Sequence, residues 1–165
     1  MNFLERAVIF IPAFRKYAMF ENDILRKLSG VSLLQRVIDK AILLGSSREA
    51  IHLLTDTEEI ALIGKRSNVG VFCRPILGWE HAGVDQQFRE YLDTAEKDTD
   101  FSVLLSPYAP LLAIGTVEAA ARAFLQTNLQ VLKPVLITKH RFFDDDATLA
   151  TSVFSNKEEV HRIES

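Results

Sequence analysis

The loop after the first apolar strand, in AVIFIPAFRKYAMFENDILRKLSG (7–30), lies where an α/β protein normally binds phosphate. Glycine lets main-chain N–H groups approach phosphate oxygens, but none follows this strand until Gly30. Large apolar side chains occupy the loop instead: Phe14, Tyr17, Met19 and Phe20. They favour one of three arrangements: a plugged phosphate site, a surface for a second copy or a partner domain, or a loop folded back on the core.

Two other places in the sequence carry side chains that could bind a metal ion or act as a nucleophile. Asp144, Asp145 and Asp146 suit magnesium, which prefers oxygen ligands. A solvated turn is the simpler interpretation, because three adjacent carboxylates cannot all face one ion without a tight bend. Cys73 ends an apolar strand and is expected to be a small core residue rather than a nucleophile.

The histidines show no metal-ligand spacing. We expect surface or packed side chains at all four positions, His52, His81, His140 and His161. His81 follows Trp79 in the segment GWEHAG. An aromatic ring and an imidazole there could contact a base or a sugar.

The elements that position these residues alternate between short apolar runs and longer amphipathic ones. Strands are predicted at 7–12, 50–56, 69–74, 101–106 and 133–140. Helices are predicted at 31–45, 57–67, 83–97 and 114–126. This alternation predicts one domain over 1–165 with a three-layer α/β fold, a mostly parallel sheet and helices on both faces.

Composition narrows the functional classes. The 165 residues carry a net charge of −3, which argues against nucleic acid or an anionic membrane as a partner. No apolar run has the length of a membrane helix, and no leader precedes the first strand, so we expect a cytoplasmic protein.

Ligands of such sheets bind beyond the carboxyl ends of the strands, where strand order reverses. Four segments lie there: the loop after the first strand, Thr55–Asp56, Arg74 to Gly83, and SPYAPLL (106–112).

These segments resemble, in order, the cytidylyltransferases that activate acidic sugars such as sialic acid and Kdo as CMP-sugars. The family's I-P-A-R-G-G-S-K-G-I-P-x-K-N-L-K-x-L-G-G-K-P-L matches IPAFRKYAMFENDILRKLSGVSL (11–33) without a gap. Its S-T-D-D-E-E-I-A resembles LLTDTEEIA (53–61), its R-P resembles Arg74-Pro75, and its L-L-Q-P-T-S-P-L-R resembles LLSPYAPLL (104–112). The resemblance covers residues 7–126 and implies a nucleotide-diphospho-sugar transferase (GT-A, Rossmann-like) fold.

The resemblance also implies a nucleotide site and identifies no catalytic residue. The site would include Ala13, Arg15, Lys16, Arg74 and Pro107. Arg15 and Lys16 stand where the family has glycines, close to a lost arginine for which they could compensate.

Several positions depart from the family's pattern. The family's first arginine is Phe14 here, the first two of its lysines are Ala18 and Asp23, and its threonine and final arginine are Tyr108 and Leu112. We therefore expect a cytidylyltransferase-like domain of CMP-acidic sugar metabolism with lost or reduced catalysis, which binds CTP or another nucleotide weakly and has a binding or assembly role.

Two alternatives stay open. The chain could be an active CMP-sugar synthetase that transfers CMP from CTP to an acidic sugar, with magnesium assisting the release of pyrophosphate. It could also be the nucleotide-binding half of a longer protein. Magnesium is expected only with the active alternative.

Overall fold

A parallel sheet and the helices against it make up most of the described structure. The computed structural model describes residues 7–14, 23–45, 47–73, 90–91 and 101–132. The strands are β1 (Ala7–Ala13), β2 (Lys27–Leu28), β3 (Val31–Ser32), β4 (Ile51–Thr55), β5 (Gly70–Cys73) and β6 (Phe101–Leu104). The α-helices whose two ends both lie in the described residues are α1 (Leu33–Leu43), α2 (Glu58–Arg66) and α3 (Ile114–Leu125). The corresponding predicted elements are confirmed, with ends that shift by at most two residues.

The strand order places β1 inside the sheet. β1 pairs with β4 on one side and β6 on the other, and β4 pairs with β5, so the order is β5-β4-β1-β6. All these pairings are parallel. In this register Ile9 lies opposite both Ile51 and Val103. The predicted parallel α/β arrangement is therefore confirmed.

The start of α1 differs from its prediction because residues 31 and 32 have another role. Val31 pairs with Leu28 in the antiparallel hairpin of β2 and β3. Ser32 is the N-cap, and its side-chain oxygen accepts a hydrogen bond from the Gln35 amide at 3.1 Å. The cap satisfies an N–H group that has no partner within the helix, so α1 begins at Leu33.

The two faces of the sheet bury different side chains, because alternate residues of a strand point to opposite faces. The first face packs aliphatic side chains against all three helices, including Ile9, Ile11, Leu34, Ile38, Leu53, Ile60 and Val117. The second face buries Val8, Phe10, Phe14 and Leu54, with Phe72 and Tyr91 packed against them. Residues 90 and 91 are helical. Helices therefore cover both faces, as predicted.

Several predictions concern residues outside the described part of the chain. These are the strand at 133–140, the aspartates at 144–146 and most of the helix at 83–97. Residue contacts divide the chain into the units Met1–Leu132 and Lys133–Ser165, and every described residue belongs to the first. The single domain over 1–165 stays a prediction. Among the described residues, no helix has both the length and the apolar character needed to span a bilayer.

Candidate functional site

The candidate site lies at the carboxyl ends of β1 and β6, and we call this position, between the turn at Asp23 and the loop after β6, the crevice. From β1 the chain passes through α1 to β4 on one side, whereas β6 pairs on the other side. Strand order thus reverses between β1 and β6, and such points are the usual ligand sites of open parallel sheets. Ala13 is fully buried at the end of β1. The Leu105 amide donates to the Phe10 carbonyl at 2.8 Å, which extends the pairing of β6 with β1 towards the crevice.

The loop after β6 forms one wall of the crevice and is held by its own hydrogen bonds. The Ser106 carbonyl accepts from the Ala109 amide at 3.2 Å, and the Ser106 Oγ accepts from the Tyr108 amide at the same distance. Pro107 between them is buried. These contacts fix the backbone that directs the Tyr108 side chain.

Lys40 of α1 ties this loop to the first face of the sheet. Its Nζ donates to the carbonyl oxygens of Ala109 at 3.1 Å and Pro110 at 3.3 Å. Burial lowers the pKa of the Lys40 ammonium, because desolvation disfavours the charged form. The loop is therefore anchored both to β1 and to α1.

The opposite wall is a short 3₁₀ turn over Asp23–Leu25. Ile24 is 1% exposed and belongs to the apolar cluster of the first face, which holds the turn in place. The Arg26 amide donates to the Asp23 carbonyl at 2.9 Å. The Asp23 side chain lies within reach of the loop after β6.

A side-chain hydrogen bond joins the two walls. The Tyr108 hydroxyl donates to Asp23 Oδ1 at 3.0 Å, across 85 positions of sequence. Burial and this bond to the Asp23 carboxylate raise the pKa of Tyr108 to about 12. A carboxylate and a phenol thus stand at the crevice, where a polyanion would need cations or N–H donors.

Phe14 follows Ala13 and turns into the protein. It is 5% exposed and packs in the cluster of the second face with Val8, Phe10 and Leu54. Of the three arrangements expected for the apolar loop side chains, Phe14 adopts the one folded back on the core. Tyr17, Met19 and Phe20 lie outside the described residues.

The carboxyl ends of β4 and β5 form a shallow groove beside α2. It is lined by Asp56, Glu58, Ala61, Leu62, Lys65, Val71 and Cys73. Burial, followed by the charges of Glu58 and Asp56, raises the pKa of the Cys73 thiol. A raised pKa reduces the thiolate fraction at a given pH. That Cys73 is not a nucleophile stays a prediction. The prediction that it is a core residue is wrong, because the side chain is exposed at the edge strand β5.

His52 is packed on the second face, as expected for a histidine inside a strand. It is 8% exposed, and the Tyr91 hydroxyl lies 2.9 Å from its Nδ1 and 3.0 Å from its Nε2. The ring of Phe10 lies edge-on to Tyr91 with centroids 5.0 Å apart. His81, His140 and His161 lie outside the described residues.

The structure brings two of the predicted nucleotide-site residues to the same end of the sheet. Ala13 ends β1, and Pro107 follows β6, its neighbour. Arg15, Lys16 and Arg74 lie outside the described residues, so their roles stay predictions. In the part of the chain that the structure describes, no group of three or more His, Cys, Asp or Glu side chains could hold a metal ion.

The sequence interpretation missed the contacts that organise the crevice. Asp23 and Tyr108 stood out only as departures from a motif, and Lys40 was not singled out. The available signal was position, since Asp23 and Tyr108 lie in two segments expected at the carboxyl edge. Their pairing depends on the three-dimensional fold.

Comparison with solved structures finds a similar fold in two proteins. The structure of CMP:2-keto-3-deoxy-manno-octonic acid synthetase complexed with CTP matches 75% of this chain and 49% of its own, with a TM-score of 0.62 and 19% identity. A cytidylyltransferase from Leptospira borgpetersenii serovar Hardjo-bovis (strain JB197) matches 74% of this chain and 50% of its own, with a TM-score of 0.56 and 20% identity.

The chain spans about half the length of each of these two proteins. No protein-family model matches the sequence, and no curated protein matches it significantly. The relationship is therefore one of structure: the chain has a cytidylyltransferase-like α/β fold.

Proposed function

We propose that this chain is a cytidylyltransferase-like domain of CMP-acidic sugar metabolism whose nucleotide site has weakened, and that it serves as a binding or assembly module rather than an efficient catalyst. The fold supports the first part of the proposal, since one similar structure holds CTP. The side chains at the carboxyl ends of β1 and β6 support the second part.

The observation that carries the proposal is the position of Phe14. The first side chain after β1 is an aromatic ring buried against Phe10 and Leu54. A ring there offers no donor to a phosphate, and its packing directs it into the apolar cluster of the second face. The backbone of this turn also carries side chains where a phosphate-binding loop uses glycine.

The expected loss of nucleotide affinity can be estimated from the missing cationic contacts. A hydrogen bond to a charged group contributes roughly 1.5–3 kcal/mol. The loss of two cationic contacts would then weaken nucleotide binding by about two to four powers of ten. Arg15 and Lys16 would recover part of this if they reach the phosphates.

Calorimetry separates this proposal from the active alternative. CTP with Mg²⁺ is titrated into the chain, and we expect no saturation below millimolar ligand. Micromolar affinity would contradict a weakened site and favour a CMP-sugar synthetase, in which positioning and charge neutralisation assist attack on the α-phosphate.

A matched pair of double variants locates any weak binding. Arg15→Ala with Lys16→Ala should abolish it, because these are the cations predicted for the triphosphate. Lys65→Ala with Arg66→Ala removes two exposed cations at the end of α2 and should change nothing. Equal losses in the two double variants would show that binding is non-specific.

Restoration of a glycine-rich loop tests whether the fold retains a usable site. Because Phe14 is buried, an arginine there would place a charge in an apolar cluster. The graft should therefore replace residues 15–19 alone. We expect tighter binding of CTP by the graft, and a folded but inert graft would contradict a former nucleotide site.

A further inference from the structure

Buried side chains and hydrogen bonds hold both walls of the crevice, and a side-chain contact connects them. The turn at Asp23 is held by buried Ile24, and the loop after β6 is held by Lys40 and by the Leu105–Phe10 bond. The Tyr108–Asp23 hydrogen bond of 3.0 Å therefore joins two anchored segments.

The chemistry of this contact is unsuited to a polyanion. Asp23 brings a carboxylate to the crevice, and the Tyr108 hydroxyl donates its proton to that carboxylate. A phosphate would be repelled by the first group and would have to compete for the donor of the second. Both groups suit a ligand hydroxyl, because a carboxylate has about four acceptor positions and a phenol oxygen also accepts.

We propose that the Asp23–Tyr108 pair sets the ligand preference of the crevice, favouring an uncharged hydroxyl-bearing group, such as that of a nucleoside or a sugar, over a polyphosphate. This inference rests on the proposed nucleotide-related function and deepens it. Asp23 acts through its charge, and Tyr108 acts as a positioning residue that fixes the carboxylate. The wild-type chain would then bind cytidine at least as tightly as CTP.

The test compares Asp23→Asn with the wild type, using cytidine and CTP with Mg²⁺ as probes and NMR titration to measure Kd. Asparagine keeps the shape of the side chain and an oxygen that accepts from Tyr108, so the substitution removes mainly the charge. We expect the Kd for CTP to fall about tenfold at low ionic strength, with less than a twofold change for cytidine.

Two further variants separate charge from contact. Glu118→Gln removes a carboxylate of α3 that pairs with Arg122 at 3.6 Å, and it should alter neither Kd. Tyr108→Phe removes the hydroxyl and leaves the charge, so CTP binding should not tighten. Titration of tyrosine absorbance in alkali should show a phenol with a pKa of about 12 in the wild type and none in Tyr108→Phe. If that ionisation persists in Tyr108→Phe, the assignment of the contact to Tyr108 is wrong.

Each binding result has one meaning for the two proposals. Tighter CTP binding in Asp23→Asn but not in Glu118→Gln supports the inference. Unchanged CTP binding in Asp23→Asn, with saturable nucleotide binding by every variant, overturns the inference and leaves the proposed function standing. Absence of any ligand-dependent shift for both probes in every variant, including Asp23→Lys, overturns both.

Discussion

The two faces of the sheet differ in the chemistry that they bury. The first face is an aliphatic contact between strands and helices, in which Ile9, Ile38 and Leu53 are fully buried. The second face combines aromatic rings with a polar contact, the Tyr91 hydroxyl beside His52. Phe14, which stands at the candidate site, belongs to the second face.

This difference shows where the fold and the site can change independently. The first face positions α1, which in turn holds the loop after β6 through Lys40. The residue that follows β1, Phe14, packs on the other face, so its side chain makes no demand on the contacts of the first face.

The largest expected effect is on the first face. Ile38→Ala removes a fully buried side chain of α1 and should lower the free energy of unfolding by about 2–5 kcal/mol, because it leaves a cavity. Urea denaturation measures the change. Leu43 on the same helix is 69% exposed, so Leu43→Ala should change the free energy of unfolding by less than about 0.5 kcal/mol. Similar losses for the two variants would contradict the assigned buried face of α1.

The second face should be sensitive to added volume at Gly70. A Cβ at this position would overlap the His52 ring, with Cε1 only 2.8 Å away, so Gly70→Ala should cost about 1–3 kcal/mol. Gly115→Ala in α3 meets nothing within 4 Å and should stabilise the protein by roughly 0.5–1 kcal/mol. Thermal denaturation measures the stability of both variants. If both substitutions stabilised the protein, the second face could not be tightly packed at Gly70.

The polar contact of the second face should contribute less. Tyr91→Phe removes the hydroxyl near both His52 ring nitrogens and should lower the free energy of unfolding by about 1 kcal/mol. Burial raises the pKa of Tyr91, so the native state is favoured while the phenol is protonated. If Tyr91→Phe unfolds at the same urea concentration as the wild type, the contact has no net stabilising role.

The smallest effect is expected at the crevice, outside both faces. The pKa of Tyr108 is raised from 10.0 to about 12, so its contribution to stability is present below pH 10 and is lost as pH rises towards 12. Tyr108→Phe should make the alkaline decline in stability shallower, as measured by urea denaturation across that pH range. If stability declines identically in the wild type and in Tyr108→Phe, the raised pKa does not belong to Tyr108.

The fold could be predicted from sequence because its signals are local. The apolar run from Ala7 to Ile11 specifies β1, a strand buried on both faces. The helical spacing of Leu34, Ile38 and Ala41 specifies α1, a helix buried on one face. Alternation of these elements then specifies parallel pairing. The start of α1 was less predictable, because Val31 fits both a helix and the short hairpin strand that it joins.

The residues at the carboxyl edge of the sheet were predictable from the sequence, but their contacts were not. The carboxyl edge follows from topology, so Ala13 and Pro107 were correctly expected at one end of the sheet. The direction of Phe14 and the Tyr108–Asp23 bond depend on contacts between distant segments. No local pattern encodes such contacts, and a motif comparison indicates only that the residue types have changed.

Titration of CTP with Mg²⁺, followed by NMR of the backbone amides, tests the central claim most directly. A weakened nucleotide crevice predicts small shifts at Ala13, Phe14, Ser106 and Tyr108 that do not saturate below millimolar CTP. Saturation at micromolar CTP, or shifts confined to the opposite end of the sheet, would contradict the account.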